Sequence, residues 1–176
     1  MKEERLYIVG YMACGKSTFG KALAEKIGWS FVDLDAEIEK KAGMTVRQLI
    51  AEKGEEAFRA LESETLRKTA SAMQTVIACG GGTPCYRDNM EFITLHGMSL
   101  WLVASPERIA ERVAEAGNTR PLLAGMEGEE LISFIKRHLL QRQQYYCKAS
   151  MRFSGERLEN KAQIEEAVGK FLKNNN

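Results

Sequence analysis

The sequence predicts an α/β fold: a five-stranded parallel sheet flanked by helices, giving three layers. Three observations carry this. Five short β-rich runs, at 6–9, 31–34, 75–79, 99–103 and 151–153, alternate with helical stretches, the pattern of strands covered on both faces. The first run leads into Gly10-Tyr11-Met12-Ala13-Cys14-Gly15-Lys16-Ser17-Thr18, a Gly-bounded turn opening a helix. And 176 residues without repeats, low-complexity tracts or Pro/Ser linkers suit one domain, 1–176, with a core of its own.

The elements follow in order. The apolar run 6–9 is a buried strand, and the turn after it is a phosphate-binding loop in the strand–turn–helix setting that such a loop requires. Backbone N–H groups of the turn and the positive end of the helix dipole, over a helix near 15–27, hold a polyphosphate. Gly15 bends without a Cβ in the way, Lys16 reaches the outer phosphates, and Ser17 offers a hydroxyl to Mg²⁺. The chain therefore binds a nucleoside triphosphate.

Next, Phe31-Val32-Asp33-Leu34-Asp35 ends the second strand. Strand periodicity places Asp33 and Asp35 on one side of its carboxyl end, where open α/β sheets bind ligands. Two carboxylates facing one spot repel unless a cation or a shared proton separates them, so one suits the Mg²⁺ shell and the other suits accepting a proton from an attacking hydroxyl. Asp35 could equally cap the helix beginning at Ala36. Helices are expected near 35–53 and 55–72. On the second, Arg59 precedes Glu62 by three residues, a spacing that serves a solvated ion pair or a braced guanidinium alike. The third strand runs into Gly80-Gly81-Gly82, which removes every side chain where a ligand could press against backbone.

Helices near 88–96 and 106–115 flank the fourth strand. The stretch 115–129, with Gly117, Pro121, Gly125 and Gly128, reads as a flexible lid carrying Arg120. In the helix near 128–146 the apolar row Leu131, Ile135, Leu139, Tyr146 includes Arg142. A guanidinium on that row either snorkels to solvent or meets an anion. Asn160 caps the last helix, from about 161 to 172.

Composition narrows the partners. Lys+Arg 25 against Asp+Glu 24 leaves a charge of +1, which argues against a broad basic face for nucleic acid. No apolar run is long enough to span a membrane, and the residues before the first strand do not form a signal peptide. Cys14, Cys79, Cys85 and Cys147 lack zinc or disulfide spacing and read as reduced thiols of a cytoplasmic protein. His96 and His138 read as helix-surface residues, too few for a histidine metal centre.

Taken together, the phosphate loop, Phe31-Val32-Asp33-Leu34-Asp35, Gly43-Met44-Thr45-Val46, Gly54-Glu55-Glu56-Ala57-Phe58-Arg59-Ala60-Leu61-Glu62, the triple glycine and Arg120-Pro121-Leu122-Leu123 resemble the shikimate kinases, from the loop to about Phe153. The resemblance implies a P-loop kinase fold, likewise a monomer, that phosphorylates the 3-hydroxyl of shikimate with ATP and Mg²⁺ on the route to aromatic amino acids. It implies ATP contacts from Ala13, Cys14, Gly15, Lys16, Ser17, Thr18, Arg112, Arg120 and Arg157. Shikimate contacts would come from Asp35, Arg59, Gly81, Gly82 and Arg142, with substrate helices over about 35–62. Lys16, Asp35 and Arg120 would be catalytic, while Ser17 and Asp33 (through water) would hold Mg²⁺. Ala13 departs from the family pattern, which often has glycine there, Cys14 is unusual beside Gly15, and Arg142-Gln143-Gln144-Tyr145-Tyr146 matches the family's spacing but has Gln where the family often has proline. Rival readings are a kinase of another hydroxy acid, such as gluconate, and a nucleotide-gated binding module.

Overall fold

The computed structural model describes residues 5–117, 123 and 125–175. Its strands are β1 (Arg5–Val9), β2 (Ser30–Asp33), β3 (Thr75–Ala78), β4 (Met98–Val103) and β5 (Met151–Ser154). They form one parallel sheet in the order β2-β3-β1-β4-β5. The helices are α1 (Lys16–Ile27), α2 (Leu34–Ala42), α3 (Val46–Lys53), α4 (Glu55–Lys68), α5 (Asn89–His96), α6 (Pro106–Glu115), α7 (Gly128–Tyr146) and α8 (Lys161–Asn174).

Alternation along β1 sorts the layers. Leu6 and Ile8 point to one face, where Phe19 and Leu23 of α1, Ile109 of α6, Ile135 of α7 and Phe171 of α8 pack together. Tyr7 and Val9 point to the other, against Leu66 of α4, Ile93 of α5 and Tyr146 of α7. All four β1 residues are fully buried, as expected for a central parallel strand covered on both sides. A smaller cluster of Ile38, Leu49 and Phe58 ties α2, α3 and α4 into one unit beside the sheet.

The expected helix over 35–53 is two helices. Gly43 ends α2 in the left-handed conformation (φ 69°), and Thr45 starts α3 with a capping box in which Thr45 and Gln48 satisfy each other's backbone N–H groups. The helix expected over 55–72 stops at Lys68 and gives way to a 3₁₀ turn at Thr69–Ser71. Asn160 caps α8 as expected, its side chain accepting from Gln163 N–H at 3.0 Å.

Register aligns the strand ends that matter. Ile8 and Asp33 both pair with Ala78, so the loops after β1, β2 and β3 emerge side by side. From β1 the chain crosses through α1 to β2 on one side, while β4 lies on its other side. The loop after β1 thus opens at the point where connections diverge, the ligand crevice of open parallel sheets.

Candidate active site

The phosphate loop occupies that crevice. Gly15, at φ 101°, makes the left-handed step into α1. Lys16 is largely buried and folds back, its Nζ donating to the carbonyls of Gly10 at 2.9 Å and Tyr11 at 2.8 Å. Ala13 also lies at positive φ (58°), where an L side chain is strained by about 1 kcal/mol. We expect Ala13→Gly to raise thermal stability by about 2–4 °C in a melting scan, the scale for about 1 kcal/mol in a chain of this size. A lowered midpoint would show that the alanine conformation is not strained.

Two cavities of about 530 Å³ each open here. The first is lined by Ala13, Gly15, Lys16, Ser17, Thr18, Asp33 and Arg112. The second is lined by Arg59, Glu62, Gly82 and Arg142 together with the α2–α3 side. Met12, Asp35, Gly80 and Gly81 belong to the walls of both. A carboxylate therefore stands at the junction between a phosphate cradle and a pocket holding two guanidinium groups.

Asp33 and Asp35 reach this junction by a different route from strand alternation. The strand ends at Asp33, whose Oδ1 accepts from the N–H groups of Asp35 (3.1 Å) and Ala36 (3.4 Å), so Asp33 rather than Asp35 caps α2. Asp35 then sits in the first helical turn and projects over Gly80. The other oxygen of Asp33 accepts from Ser17 Oγ at 2.5 Å, which joins the two residues expected to serve a cation.

The second pocket rests on a buried charge. Glu62 is fully buried; its Oε2 accepts from Arg59 Nη1 at 2.7 Å and its Oε1 from Thr83 Oγ1 at 2.6 Å. Burial lowers the Arg59 pKa, but the charges of Glu62 and Glu55 outweigh it and leave the group above its ordinary value. The solvated-pair reading of Arg59–Glu62 therefore fails for Glu62. Thr83 is held in turn by Asn89, whose Nδ2 donates to the Thr83 carbonyl at 2.9 Å, and both are fully buried. Neither stood out in the sequence, since a Thr after a glycine run looks like a turn residue.

Removing the Thr83 hydroxyl strands part of a buried carboxylate. Thr83→Val is expected to cost about 1–3 kcal/mol of stability and to loosen Arg59, with Thr83→Ser restoring both. Thermal melts and KM values check this, and full activity in the valine variant would show that Glu62 needs no second donor.

The triple glycine is required by space. A Cβ at Gly80 would lie 2.8 Å from Glu62 Oε1 and 2.9 Å from Asp35 Oδ1, and one at Gly82 would lie 2.5 Å from Arg59 Nη2. At Gly81 it would meet Met12 N at 3.0 Å and Arg142 Nη1 at 3.5 Å. Arg142 does lie on the buried row of α7, and its Nη1 is enclosed with no hydrogen-bond partner among the described residues. Next along that row, burial pushes the Tyr146 hydroxyl pKa up, so it stays protonated and donates to Gly81 O at 2.5 Å.

Other expected residues are placed differently. Arg112 lines the first cavity, but its Nη2 is fixed by Gly155 O at 2.8 Å and Glu159 Oε1 at 2.7 Å, so it braces the loop after β5. Arg157 is exposed and outside both cavity walls, where Leu158 and Glu159 stand instead. Cys14 is fully buried and is not part of the first cavity's wall. His138 is half-buried, not a surface residue, and bonds to Tyr11. Arg120 and Leu122 of the expected lid lie outside the described residues, whereas Leu123 is fully buried. Among the described residues no cluster of His, Cys, Asp or Glu could by itself hold a metal, and no helix is long and apolar enough to cross a membrane.

Comparison with known proteins decides the family. The family model described as shikimate kinase matches residues 12–173. The chain belongs to the shikimate kinase family. It is 41% identical over 170 residues to the shikimate kinase of Parabacteroides distasonis, covering 97% of this chain and 98% of that one. The crystal structure of shikimate kinase from Bacteroides thetaiotaomicron superposes with a TM-score of 0.91 at 39% identity, covering 97% of each chain. The shikimate kinase from Acinetobacter baumannii, solved in complex with shikimate, gives a TM-score of 0.85 at 31% identity, over 98% of this chain and 92% of that one. In shikimate kinase terms, the residues expected to meet the acceptor (Asp35, Arg59, Gly81, Gly82 and Arg142) all line the second cavity, and of the expected loop residues Ala13, Gly15, Lys16, Ser17 and Thr18 line the first.

Proposed function

We propose that this protein transfers the γ-phosphoryl group of ATP to the 3-hydroxyl of shikimate, giving 3-phosphoshikimate and ADP. The observation that carries the reading is the shared wall. A cradle for triphosphate and a pocket with two guanidinium groups meet at Asp35, so an acceptor hydroxyl can lie between them.

Lys16 exchanges the carbonyls of Gly10 and Tyr11 for phosphate oxygens and offsets charge on the group in transfer. Arg59, fixed by Glu62, and Arg142, with an enclosed Nη1, grip the shikimate carboxylate, while the bare backbone of Gly81 and Gly82 lets the ring approach. Asp35 orients the acceptor hydroxyl and takes its proton. Arg120 is assigned to the lid that excludes water, which would otherwise compete as acceptor.

Ser17 Oγ and Asp33 Oδ2, hard oxygen donors in contact in the cavity wall, suit Mg²⁺ and would hold it, Asp33 through water. Bound there, the ion would draw charge from the β- and γ-phosphate oxygens. One chain supplies both cavities, which supports a monomer.

Incubation of the full chain with ATP, Mg²⁺ and shikimate, with detection of the phosphorylated product, tests the reading against gluconate and other hydroxy acids. Preferred phosphorylation of another acid would reassign the acceptor. ATP binding with no phosphorylated product from any acid would favour the binding-module reading.

A further inference from the structure

Tyr11, the second residue of the phosphate loop, has a side chain that the transfer reaction leaves unused, yet it is almost fully buried. Three of its parts touch three functional elements. Its carbonyl accepts from Lys16 Nζ at 2.8 Å. Its hydroxyl lies 2.9 Å from His138 Nδ1, with the two rings edge-to-face at 5.5 Å. Its ring face lies beneath Arg142, whose Cζ is 5.6 Å from the ring centroid.

His138 and Arg142 are one helical turn apart on α7, so the pair embraces the Tyr11 ring from a single rigid element. Phe134, a turn earlier, packs against His138 from its other side at 5.5 Å. Burial, and then the Arg142 charge, push the His138 pKa below its ordinary value. The neutral ring offers Nδ1 as an acceptor for the Tyr11 hydroxyl in one tautomer and adds no positive charge beside Arg142. Arg142, with Nη1 enclosed and lacking a hydrogen-bond partner among the described residues, lies over the face of that ring.

We propose that Tyr11, tethered by His138, is the positioning residue for Arg142, so that a phosphate-loop side chain sets the affinity for the acceptor carboxylate. The proposal rests on the reading of Arg142 as a carboxylate ligand. Shape explains how one ring can do this: a flat aromatic face fixes the guanidinium plane while leaving its edge N–H groups pointing at the anion.

Steady-state kinetics of the full-length protein test it, with KM measured separately for shikimate and ATP. Tyr11→Leu removes the platform and is expected to raise KM for shikimate about tenfold, the scale of a partly desolvated cation–π contact. KM for ATP should change less than about twofold, because Lys16 bonds to the Tyr11 backbone carbonyl, which leucine retains. Tyr11→Phe and His138→Gln preserve ring or helix and loosen only the tether, so each should give a smaller rise, about threefold, should the leucine variant fail to fold. In an Arg142→Ala background, Tyr11→Leu should add nothing further to KM for shikimate, since its effect runs through that guanidinium.

Equal rises in both KM values would mark general damage to the loop and overturn the proposal, as would full additivity with Arg142→Ala. If Arg142→Ala raises KM for shikimate but no Tyr11 variant does, the positioning role alone falls. If Arg142→Ala leaves KM for shikimate unchanged, the clamp reading falls and takes the proposal with it.

Discussion

Asp35→Asn is expected to lower turnover of ATP with shikimate by about 10²–10⁴-fold, the range for loss of a positioned general base. The substitution keeps size and hydrogen-bonding shape but removes the charge and the capacity to take a proton. Asp35 is not the helix cap (Asp33 is), so the start of α2 should survive, and the melting temperature should stay close to that of the unchanged protein. ATP affinity should also change little, because Lys16, Ser17 and the loop backbone, which hold the phosphates, are left unchanged. Kinetics with nucleotide titration separate these outcomes. Unchanged turnover would remove Asp35 from the reaction and leave it a structural neighbour of Gly80.

Arg142→Ala is the second large effect. Truncating a charged group that meets an opposite charge in an enclosed pocket costs about 2–5 kcal/mol, or roughly 30- to 4,000-fold in KM for shikimate. Because Arg142 grips the acceptor in ground and transition states alike, kcat should fall much less than kcat/KM. Stability should hold or improve, since the substitution also removes a partly buried cation whose Nη1 has no hydrogen-bond partner among the described residues. A variant with unchanged KM for shikimate, or one whose KM for ATP rises in parallel, would place the carboxylate elsewhere.

Much of the molecule is legible in the sequence. The phosphate loop and the five strands could be read because their signals are local: glycine spacing, short β-branched runs and a helix start. Arg142 was legible because its position on the row of Leu131, Ile135 and Tyr146 is a matter of helical period alone. Asp33 and Asp35 were placed at the correct edge of the sheet by an argument of the wrong kind. Alternation along a strand does not continue into a helix, and the cap at Asp33 brings Asp35 to the junction.

What escaped notice depends on contacts far apart in the chain. The spacing of Arg59 and Glu62 suits a solvated and a braced pair alike until Thr83, 21 residues later, closes over Glu62. His138 looks like a surface residue until Tyr11, 127 residues earlier, takes its Nδ1. The break in 35–53 could have been found, since Thr45 with Gln48 is a local capping box beside Gly43. The bracing role of Arg112 could not, because its partners Gly155 and Glu159 come from the loop after β5.

Gly80 and Gly82 owe their identity to ordinary crowding. Neither has the positive φ that favours glycine, so alanine there would leave the backbone at ease and collide with the side-chain tips of Glu62, Asp35, Thr83 and Arg59. Selectivity is thus written partly in missing atoms. A single methyl added at Gly82 would jam the acceptor pocket while sparing the nucleotide cradle, a silent decoy that still takes up ATP and could report on cradle occupancy without turnover.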